Sequence, residues 1–479
     1  MKKAELGLIG LAAMGQNLAL NIAGKGFQIA VFNRTIETGR KFLRERAAQL
    51  PIQLGESVKE FVGLLERPRM ILLMLKAGKP VDEIINQLLP LLLPGDLIAD
   101  CGNSFFQDTE RRAKELSARG LIFMGIGVSG GEQGALQGPS IMPGGALQGW
   151  EMLRRILEAI SAKVKAVPCV TYLGPGGSGH FVKMVHNGIE YGDLQLIAES
   201  YHLLHRVRGL DHNALAKVFT KYNRGRLASY LMEITAEIFQ AKDPQTGKPM
   251  LDLILDRAGQ KGTGQWAANI ALELAEPIPT ITSAVEARNL SAKKAERLRA
   301  EKIFKSPKPP ALQASLAEEM RDALYCSKLS LYSQGMALLR TGSNQFGYRL
   351  NLSDLAQIWK GGCIIRSALL DLIQKSFKKN PGLANLLLAP EVARAIKRGE
   401  SNWRKVIRLA VGSGIPCPAL SSALAYFDGY RTGRLPANLI QAQRDFFGAH
   451  TFERIDQPGN FHHQFKEGVK SKKGSDLDF

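Results

Sequence analysis

Short apolar runs alternate with helical patterns along the first part of the chain, up to TYLGPGGSGH at residues 171–180. Strands buried in a parallel sheet are typically continuous apolar runs, and a helix returns the chain between successive strands. The pattern therefore predicts an α/β domain of βαβ units over residues 1–177. Five runs are predicted as strands that lead into Gly, Asn or Lys: AELGLIG, FQIAVFN, MILLMLK, DLIADCG and LIFMGIG.

Long helical periods replace the strand signals after residue 177. They predict a large all-α domain over 178–434, followed by a short C-terminal tail over 435–479 that is too small for a core of its own. LAKVF at 215–219 is followed by Arg226, seven residues after its last residue, and LAQIW at 355–359 is followed at the same distance by Arg366. This shift of 140 residues indicates a duplicated helical unit, with chance similarity between apolar helices as the alternative.

The composition indicates a folded protein of the cytoplasm. Apolar residues make up 45% of 479 residues, enough for a sizeable core. The five cysteines are scattered and form no ligand cluster, which favours a reducing compartment and predicts no metal site. The amino terminus imitates a signal peptide, but Glu5 interrupts its apolar run. Because no run of 18 apolar residues follows, we expect no transmembrane helix and no membrane partner.

The net charge of +19 favours an anionic partner, either a nucleic acid or small phosphorylated ligands. The basic residues are spread along the chain, and no nucleic-acid-binding motif accompanies them. We therefore expect a small phosphorylated ligand and no nucleic acid. A surface charge without a specific partner is the alternative.

The segment GLIGLAAMGQN carries the dinucleotide-binding fingerprint of Rossmann-type domains, because a predicted strand leads through a glycine-rich turn into a helix. Gly10 allows the tight turn, Ala12 is small enough for a pyrophosphate to approach the backbone, and Gly15 permits close helix packing. The second strand ends in FNRT. An NAD enzyme usually has a carboxylate there, whereas the guanidinium of Arg34 can pair with a 2′-phosphate, so the sequence favours NADP.

Three glycine-rich or strand-end segments are candidate ligand sites. GVSGGEQGALQGPSIMPGG is expected to be a loop in which Ser129 and the two following glycines present N–H groups and a hydroxyl to an anion such as a carboxylate. LDRAGQKGTGQW places Lys261 and Thr263 among glycines, which is typical of a phosphate site. Asn103 of DCGNS follows a strand and is expected at the ligand crevice. A flexible loop, a helix cap and a plain turn are the respective alternatives.

The segment FVKMVHNGIEYGD, residues 181–193, raises a different question, because it reads as a helix with a polar stripe. Periodicity alone favours a solvent-exposed face. Such faces are usually filled with Glu, Lys and Gln, however, and this one has a single residue of each of five types. Together with the ligand motifs around it, the stripe is interpreted as one wall of an active site. Its members are Lys183, His186, Asn187, Glu190 and Tyr191.

In their order along the chain, these segments resemble the decarboxylating 6-phosphogluconate dehydrogenases. The resemblance rests on GLAAMGQN, FNRT, DCGNS, GVSGGEQGA, KMVHNGIEYGD, AGQKGTGQW, GGCIIRS and LPANLIQAQRDFFGAHTFER, and it covers nearly the whole chain. It implies NADP as cofactor and a homodimer in which the C-terminal tail completes the partner's active site. Cys101 departs from the family's usual glycine, which would shift the cofactor geometry if that position needed a positive φ.

The resemblance also implies the residues of the site. Lys183 matches the family's general base and Glu190 its general acid, and Arg444 and His450 match the pair that the partner subunit contributes at the substrate phosphate. The expected cofactor contacts are Gly10, Leu11, Ala12, Ala13, Met14, Gly15, Asn33, Arg34, Thr35, Leu75, Lys76, Ala77 and Asn103. The expected substrate contacts are Asn103, Ser129, Gly130, Gly131, His186, Asn187, Tyr191, Lys261, Thr263, Arg288, Arg444 and His450.

Two other functions remain open at this point. One is a β-hydroxyacid dehydrogenase that does not decarboxylate its product, since the shorter enzymes of that class share the fingerprint and the Lys-x-x-x-Asn helix. The other is a basic binding protein on an enzyme fold that has lost its activity. The intact pair Lys183 and Glu190 argues against the second.

Overall fold

A seven-stranded sheet forms the first part of the fold in the computed structural model, which describes residues 2–305, 307 and 315–465. The strand order is β3-β2-β1-β4-β5-β6-β7, and every pair is parallel except β6 with β7. The strands are β1 Leu6–Ile9, β2 Ile29–Phe32, β3 Ile52–Leu54, β4 Met70–Leu73, β5 Leu97–Asp100, β6 Ile122–Ser129 and β7 Ser140–Gly145. The short strands β8 Lys163–Val164 and β9 Val167–Pro168 pair separately.

All five predicted strands are present, and two more were not predicted. The stretch 140–145 was expected to be part of a loop, and this expectation was wrong, because Ser140–Gly145 pairs along its length with β6. Its sequence SIMPGG does not look like a strand, since Gly and Pro are rare in sheets. Pro143 is tolerated because β7 lies at the edge of the sheet. In an edge strand, every second residue directs its backbone away from the neighbouring strand and needs no N–H for the sheet.

Helices cover the sheet and form the second half of the chain. No helix among the described residues is long and apolar enough to cross a membrane. Short 3₁₀ helices occur at Leu89–Leu91 and Leu386–Leu388. The α-helices are α1 Ala13–Gly24, α2 Ile36–Arg46, α3 Val58–Gly63, α4 Lys79–Leu88, α5 Phe106–Ser117, α6 Gly131–Gln137, α7 Leu147–Ile160, α8 Ser178–Arg206, α9 His212–Asn223, α10 Tyr230–Gln240, α11 Met250–Leu253, α12 Thr263–Glu273, α13 Pro279–Ser291, α14 Lys294–Ile303, α15 Leu316–Phe346, α16 Leu352–Ile358, α17 Leu369–Lys379, α18 Pro390–Gly412, α19 Pro418–Arg431 and α20 Ala437–Gly448.

The helical half contains the same arrangement twice. A long helix is followed by two shorter ones in α8-α9-α10 and again in α15-α16-α17, at the spacing that the sequence repeat predicts. Phe219 and Trp359, which end the two matching pentapeptides, are both fully buried. The two copies meet where Ser229 and Ser367 form an antiparallel bridge.

The long helix α8 lies directly against β6 and β7, because glycines remove the side chains between them. A Cβ on Gly125 would lie 2.6 Å from the side chain of Thr109 and 2.8 Å from that of His180. Gly144 and Gly179 face each other so closely that a Cβ on either would clash with the other's backbone. This contact carries the predicted catalytic stripe to the carboxyl end of β6, which is where ligands bind in α/β sheets.

The chain forms two units, residues 1–424 and 425–479. Within the described part of the second unit, α20 is followed by a hairpin of β10 Phe452–Glu453 and β11 Asn460–Phe461. The buried carboxylate of Asp445 organises this unit, since it accepts hydrogen bonds from the N–H groups of Thr451 and His463, each at 3.0 Å. Residues 466–479 of the predicted tail lie outside the described part. The predicted domain boundaries at 177 and 434 stay predictions.

Candidate active site

The turn after β1 has the backbone that a dinucleotide needs. Gly10 has a φ of +103°, and a Cβ there would lie 2.5 Å from the carbonyl oxygen of Met74. Gly15 has no room for a Cβ against the Gly10 carbonyl. Ala12 is the exposed N-cap of α1 and has no side chain that caps the helix, so the first N–H groups of the helix are available to an anion. A pyrophosphate therefore fits this cradle.

The predicted cofactor residues after β2 and β4 surround the same turn. Asn33 is half-buried and joins two of the loops, because its Oδ1 accepts from the Leu11 N–H at 3.0 Å and its Nδ2 donates to the Thr35 carbonyl at 3.0 Å. Arg34 is exposed and makes no hydrogen bond or ion pair with the described residues, so its guanidinium is available to a ligand. After β4, Lys76 is exposed, and Leu75 and Ala77 are half-buried.

The DCGNS segment is shaped by Asp100, which is fully buried at the end of β5. Its carboxylate accepts from the Gly102 N–H at 3.0 Å and from the Ser104 hydroxyl at 2.6 Å, and this leaves the intervening Asn103 exposed. Cys101 does not have a positive φ, and its side chain packs in the apolar core of the sheet. The substitution of glycine by Cys101 therefore requires no change in the backbone.

The segment 129–138 is a strand end and a helix rather than the loop that the sequence suggests. Ser129 is the buried last residue of β6, Gly130 caps α6 with a φ of +114°, and Gly131 begins that helix with a φ of +63°. Gly131 is exposed, and a Cβ there would meet nothing within 4 Å. The turn therefore presents backbone to open space at the N-terminus of α6, as expected for an anion site.

The polar stripe of α8 is buried or half-buried, and none of its five residues is solvent-exposed. Lys183 is 6% exposed and His186 is fully buried. His186 lies between the turn and the rest of the stripe, with its Nε2 3.5 Å from Ser129 Oγ and its Nδ1 3.9 Å from a carboxylate oxygen of Glu190. Asn187 has a buried Oδ1 without a hydrogen-bond partner among the described residues. Buried polar atoms are nearly always paired, so this oxygen is a candidate for ligand contact.

Burial also sets the protonation states of the stripe. It lowers the pKa of Lys183, against the opposing charge of Glu190. It raises the pKa of Glu190, against the charges of Lys183 and Arg288. Both shifts favour the uncharged forms, an amine that can accept a proton and a carboxyl group that can donate one. Burial, together with the nearby Lys183, holds the pKa of His186 well below its ordinary value, so this imidazole is neutral and forms no ion pair with Glu190.

The AGQKGTGQW segment lies beside the far end of the stripe. Gly262 has a φ of +92° and is the N-cap of α12, and Gly264 makes room for Tyr191, whose ring would lie 2.5 Å from a Cβ there. The guanidinium carbon of Arg288 lies 3.5 Å from the centre of the Tyr191 ring. Thr263 is buried at the first position of α12, whereas Lys261 is exposed. The backbone at Gly262 and the packing at Gly264 therefore require glycine, in addition to the predicted access for a ligand.

The two remaining predicted residues, Arg444 and His450, lie in the second unit. Both are exposed, and Arg444 donates to the side chain of Gln441 at 3.0 Å. The residues from Ser129 to Arg288 belong to the first unit.

Residues of the GGCIIRS region have contacts that the sequence reasoning did not assign. A Cβ on Gly130 would lie 2.5 Å from the Gly362 carbonyl oxygen, and the Ser140 N–H donates to that same oxygen at 2.8 Å. The Trp359 ring packs edge-to-face on His186, with 5.4 Å between centroids. The helical half thus supports the turn at 129–131 from behind. The available signal was the glycine pair 361–362, which indicates close backbone approach.

A Rossmann-type sheet with a dinucleotide turn, and a helix that carries a buried lysine and a half-buried carboxyl group to its strand ends, define a nicotinamide-dependent dehydrogenase. Residues 5–174 match the family model for the NAD binding domain of 6-phosphogluconate dehydrogenase, and residues 179–465 match that for its C-terminal domain. The chain belongs to the 6-phosphogluconate dehydrogenase family. The predicted family and the predicted fold class are confirmed.

Similar proteins cover nearly the whole chain. A Synechococcus elongatus protein named 6-phosphogluconate dehydrogenase, decarboxylating, is 55% identical over 470 residues, which cover 97% of this chain and 100% of that protein. An NADP(+)-dependent, decarboxylating enzyme of Bacillus subtilis is 51% identical and covers 96% of this chain, and 99% of its own length is matched. The Plasmodium falciparum 6-phosphogluconate dehydrogenase has been solved in its apo form, with NADP+ and with 6-phosphogluconate. Its structure matches with a TM-score of 0.94 at 44% identity, and the match covers 96% of this chain and 100% of that one.

Proposed function

We propose that this protein oxidises 6-phospho-D-gluconate with NADP and releases D-ribulose 5-phosphate and CO₂, a step of the oxidative pentose phosphate pathway. The observation that carries the proposal is the pair Lys183 and Glu190. Lys183 is buried and Glu190 is half-buried on α8, seven residues and about 10 Å apart along the helix axis. Their pKa values are displaced toward the forms that accept and donate protons.

The chain's own groups account for how the cofactor would be held. The turn from Gly10 to Gly15 and the N-terminus of α1 suit the pyrophosphate, and the free guanidinium of Arg34 suits the 2′-phosphate of NADP. Lys76 and Asn103 are exposed at neighbouring strand ends. When bound there, NADP would supply the acceptor for the hydride that leaves the substrate carbon.

Lys183 is the general base of the proposed reaction. Oxidation of the hydroxyl β to the carboxylate requires removal of the hydroxyl proton as the hydride leaves. A lysine does this only as the neutral amine, and burial favours that form here. The resulting β-keto acid loses CO₂, because its carbonyl accepts the electron pair of the breaking carbon–carbon bond. Lys183, now protonated, donates a hydrogen bond to that oxygen as it becomes an enolate.

Glu190 is the general acid that completes the reaction. The enediol left after CO₂ departs needs a proton at carbon, and Glu190 is the protonatable group two turns along the same helix face. Because burial raises its pKa, Glu190 retains a proton to a higher pH than an exposed glutamate does.

The other predicted contacts would orient the substrate. The backbone at Ser129, Gly130 and Gly131 suits the carboxylate, because it lies at a helix N-terminus. Lys261 and Arg288 are cations near the Tyr191 end of the stripe and suit the phosphate. The phosphate is remote from the reacting carbons, so these groups supply orientation rather than chemistry.

The direct test follows NADPH absorbance and CO₂ release with 6-phospho-D-gluconate and NADP. We expect equal amounts of both products, and no NADPH from the Lys183→Ala variant, which should still bind NADP. NADPH without CO₂ would instead identify the non-decarboxylating alternative. If neither NADPH nor CO₂ is formed, 6-phospho-D-gluconate is not the substrate and the proposal is refuted.

We further propose a homodimer in which Arg444 and His450 of each chain complete the partner's site. Exposed apolar side chains on α20 support an interface, since Leu439 is 61% exposed and Phe447 is 72% exposed. With Phe446 and Phe465, they line a cavity of about 500 Å³ within the second unit. A second copy of the chain is the occupant that we propose for this surface.

Complementation between two inactive variants tests the shared site. Lys183→Ala and Arg444→Ala are each expected to be inactive. A mixed dimer contains one site with both substitutions and one with neither. Mixed refolding in equal amounts should therefore restore up to about a quarter of the wild-type activity. No recovery, with dimers present by light scattering, would show that each tail serves its own chain.

We also propose that the protein works in a reducing compartment such as the cytoplasm. All five cysteines are free thiols with buried side chains, and none forms a disulfide. Mass spectrometry of thiols trapped in intact cells would test this, because a paired cysteine would contradict it.

A further inference from the structure

Two asparagines of the cofactor-binding helix α1 do not face the cofactor turn. Asn17 and Asn21 are 7% and 5% exposed, although asparagine is seldom so buried. The Nδ2 of Asn17 donates to the Glu132 carbonyl at 2.8 Å. The Nδ2 of Asn21 donates to the Ala135 carbonyl at 3.1 Å and to the Ile160 carbonyl at 3.0 Å. Both side chains are thus directed at the backbone of α6 and of the end of α7.

These hydrogen bonds tie a short helix to α1 and to the end of α7. Helix α6 has seven residues, too few to be stable alone. The Gly134 carbonyl accepts from the N–H of the C-cap Gly138 at 2.8 Å, and Asn21 satisfies the next carbonyl, that of Ala135. Asn17 is fixed in turn, because its Oδ1 accepts from Arg46 Nη2 at 2.8 Å.

The first residues of α6 are the substrate turn. Gly130 is its N-cap and Gly131 its first residue, so a shift of α6 moves both. On the other side, Gly130 already touches the Gly362 carbonyl without room for a Cβ. The turn is therefore held between the cofactor helix and the helical half of the chain.

We propose that Asn17 and Asn21 are positioning residues for the substrate rather than for the cofactor: through α6 they fix the turn from Ser129 to Gly131 at the distance from Lys183 that the substrate carboxylate requires. This inference rests on the proposed function of that turn. It also means that the helix that binds the pyrophosphate sets the geometry of the substrate site.

The test replaces each amide by a side chain of similar size that cannot donate. In Asn21→Leu, two buried carbonyls lose their partner, and we expect KM for 6-phospho-D-gluconate to rise about tenfold. The dissociation constant of NADP, measured by fluorescence titration, should stay within about twofold, because the turn from Gly10 to Gly15 is not touched. Asn17→Leu should show the same split with a smaller rise in KM, since one carbonyl is affected.

Gln16→Leu is the matched control on the same helix. Gln16 Nε2 donates to the Leu11 carbonyl at 2.9 Å, and its Oε1 accepts from Arg46, but it has no bond to α6. It should leave KM for the substrate within about twofold. Thermal unfolding of each variant identifies any that fails to fold, and Asn17→Leu then carries the test.

Two results would overturn the proposal. An unchanged KM in both folded asparagine variants would show that α6 keeps its place without them. An equal rise in KM for the substrate and in the NADP dissociation constant would show a general loosening of the domain. If the wild-type protein does not turn over 6-phospho-D-gluconate at all, the proposed function fails instead, and the two failures are thus distinguishable.

Discussion

Gly127 and Lys183 touch so closely that a Cβ on Gly127 would lie 2.5 Å from the Cβ of Lys183. Gly127 is in the middle of β6, and Lys183 is in the second turn of α8. The missing side chain on the strand is what brings the lysine backbone against the sheet, close to the strand end where the turn at 129–131 lies. The position of the proposed base therefore depends on a residue that has no functional group.

Gly127→Ala should accordingly displace Lys183. We expect kcat to fall by about 100-fold, the effect of a misplacement of roughly 1 Å at a reacting group. The added methyl group should also lower the free energy of unfolding by about 1–3 kcal/mol, because it overpacks the interface. Steady-state kinetics and urea denaturation measure the two effects. Gly24→Ala is the control, since a Cβ there meets nothing within 4 Å, and it should keep full activity.

Lys183→Met should abolish turnover and yet raise the melting temperature at pH 7. The unfolded chain keeps this amine protonated up to about pH 10.4, whereas burial in the fold lowers its pKa. Above about pH 10.4 the amine is neutral in both states, and its burial carries no charge penalty. As the pH falls from there through the lowered pKa of the folded state, the unfolded chain gains a proton more readily, and the free energy of unfolding decreases. Methionine removes that penalty. A lower melting temperature than wild type would show that the charged lysine is a net stabiliser.

The same shift predicts how wild-type activity depends on pH. Since the base must be the neutral amine, kcat/KM should rise as the pH increases through the lowered pKa of Lys183. The midpoint should lie below the value of about 10.4 for a free lysine. A rate profile from pH 5 to pH 10 measures it. A flat profile across this range would contradict the role of Lys183 as base.

Glu190→Gln should slow the end of the reaction rather than its beginning. The amide occupies the same space but cannot deliver a proton, so we expect kcat to fall by about 100-fold or more. Stopped-flow absorbance should then show a rapid burst of one NADPH per site before slow turnover. Burial raises the pKa of Glu190, so in the wild-type enzyme this proton is lost, and the late step slows, as the pH rises through that pKa. Loss of the burst in the variant would place Glu190 at or before hydride transfer.

Arg34→Asp should reverse the preference for NADP over NAD. The guanidinium is exposed, and a carboxylate in its place would repel the 2′-phosphate and accept from the ribose hydroxyls. We expect the ratio of kcat/KM for NADP to that for NAD to fall by about 100-fold, equivalent to about 2.7 kcal/mol. Arg44→Asp makes the same charge change on the exposed face of α2 and should leave the ratio unaltered. An unchanged ratio in Arg34→Asp would exclude a 2′-phosphate contact.

The order of the elements and the chemistry of the site could be predicted from the sequence. Both can be predicted from short stretches of sequence. A strand buried on both faces is apolar along its length, and the turn at 10–15 needs glycine because of its own backbone conformation. The five strands, the helical half and the polar stripe of α8 follow from such signals. The strand at 140–145 does not, because its pairing with β6 decides its conformation against the preference of its own residues.

The sequence by itself thus determined the fold class, the family and which residue types could act as base, acid and cofactor ligands. Only the tertiary structure decided whether the polar stripe of α8 is exposed to solvent or covered by other parts of the chain. Periodicity records which residues share a helix face, and it does not record what covers that face. Glycines of β6 and α8, far apart in sequence, close that space, and the resulting burial displaces the pKa values of Lys183 and Glu190. Desolvation is a property of the assembled surroundings, which is why residues of ordinary acidity in the sequence become an acid and a base in the fold.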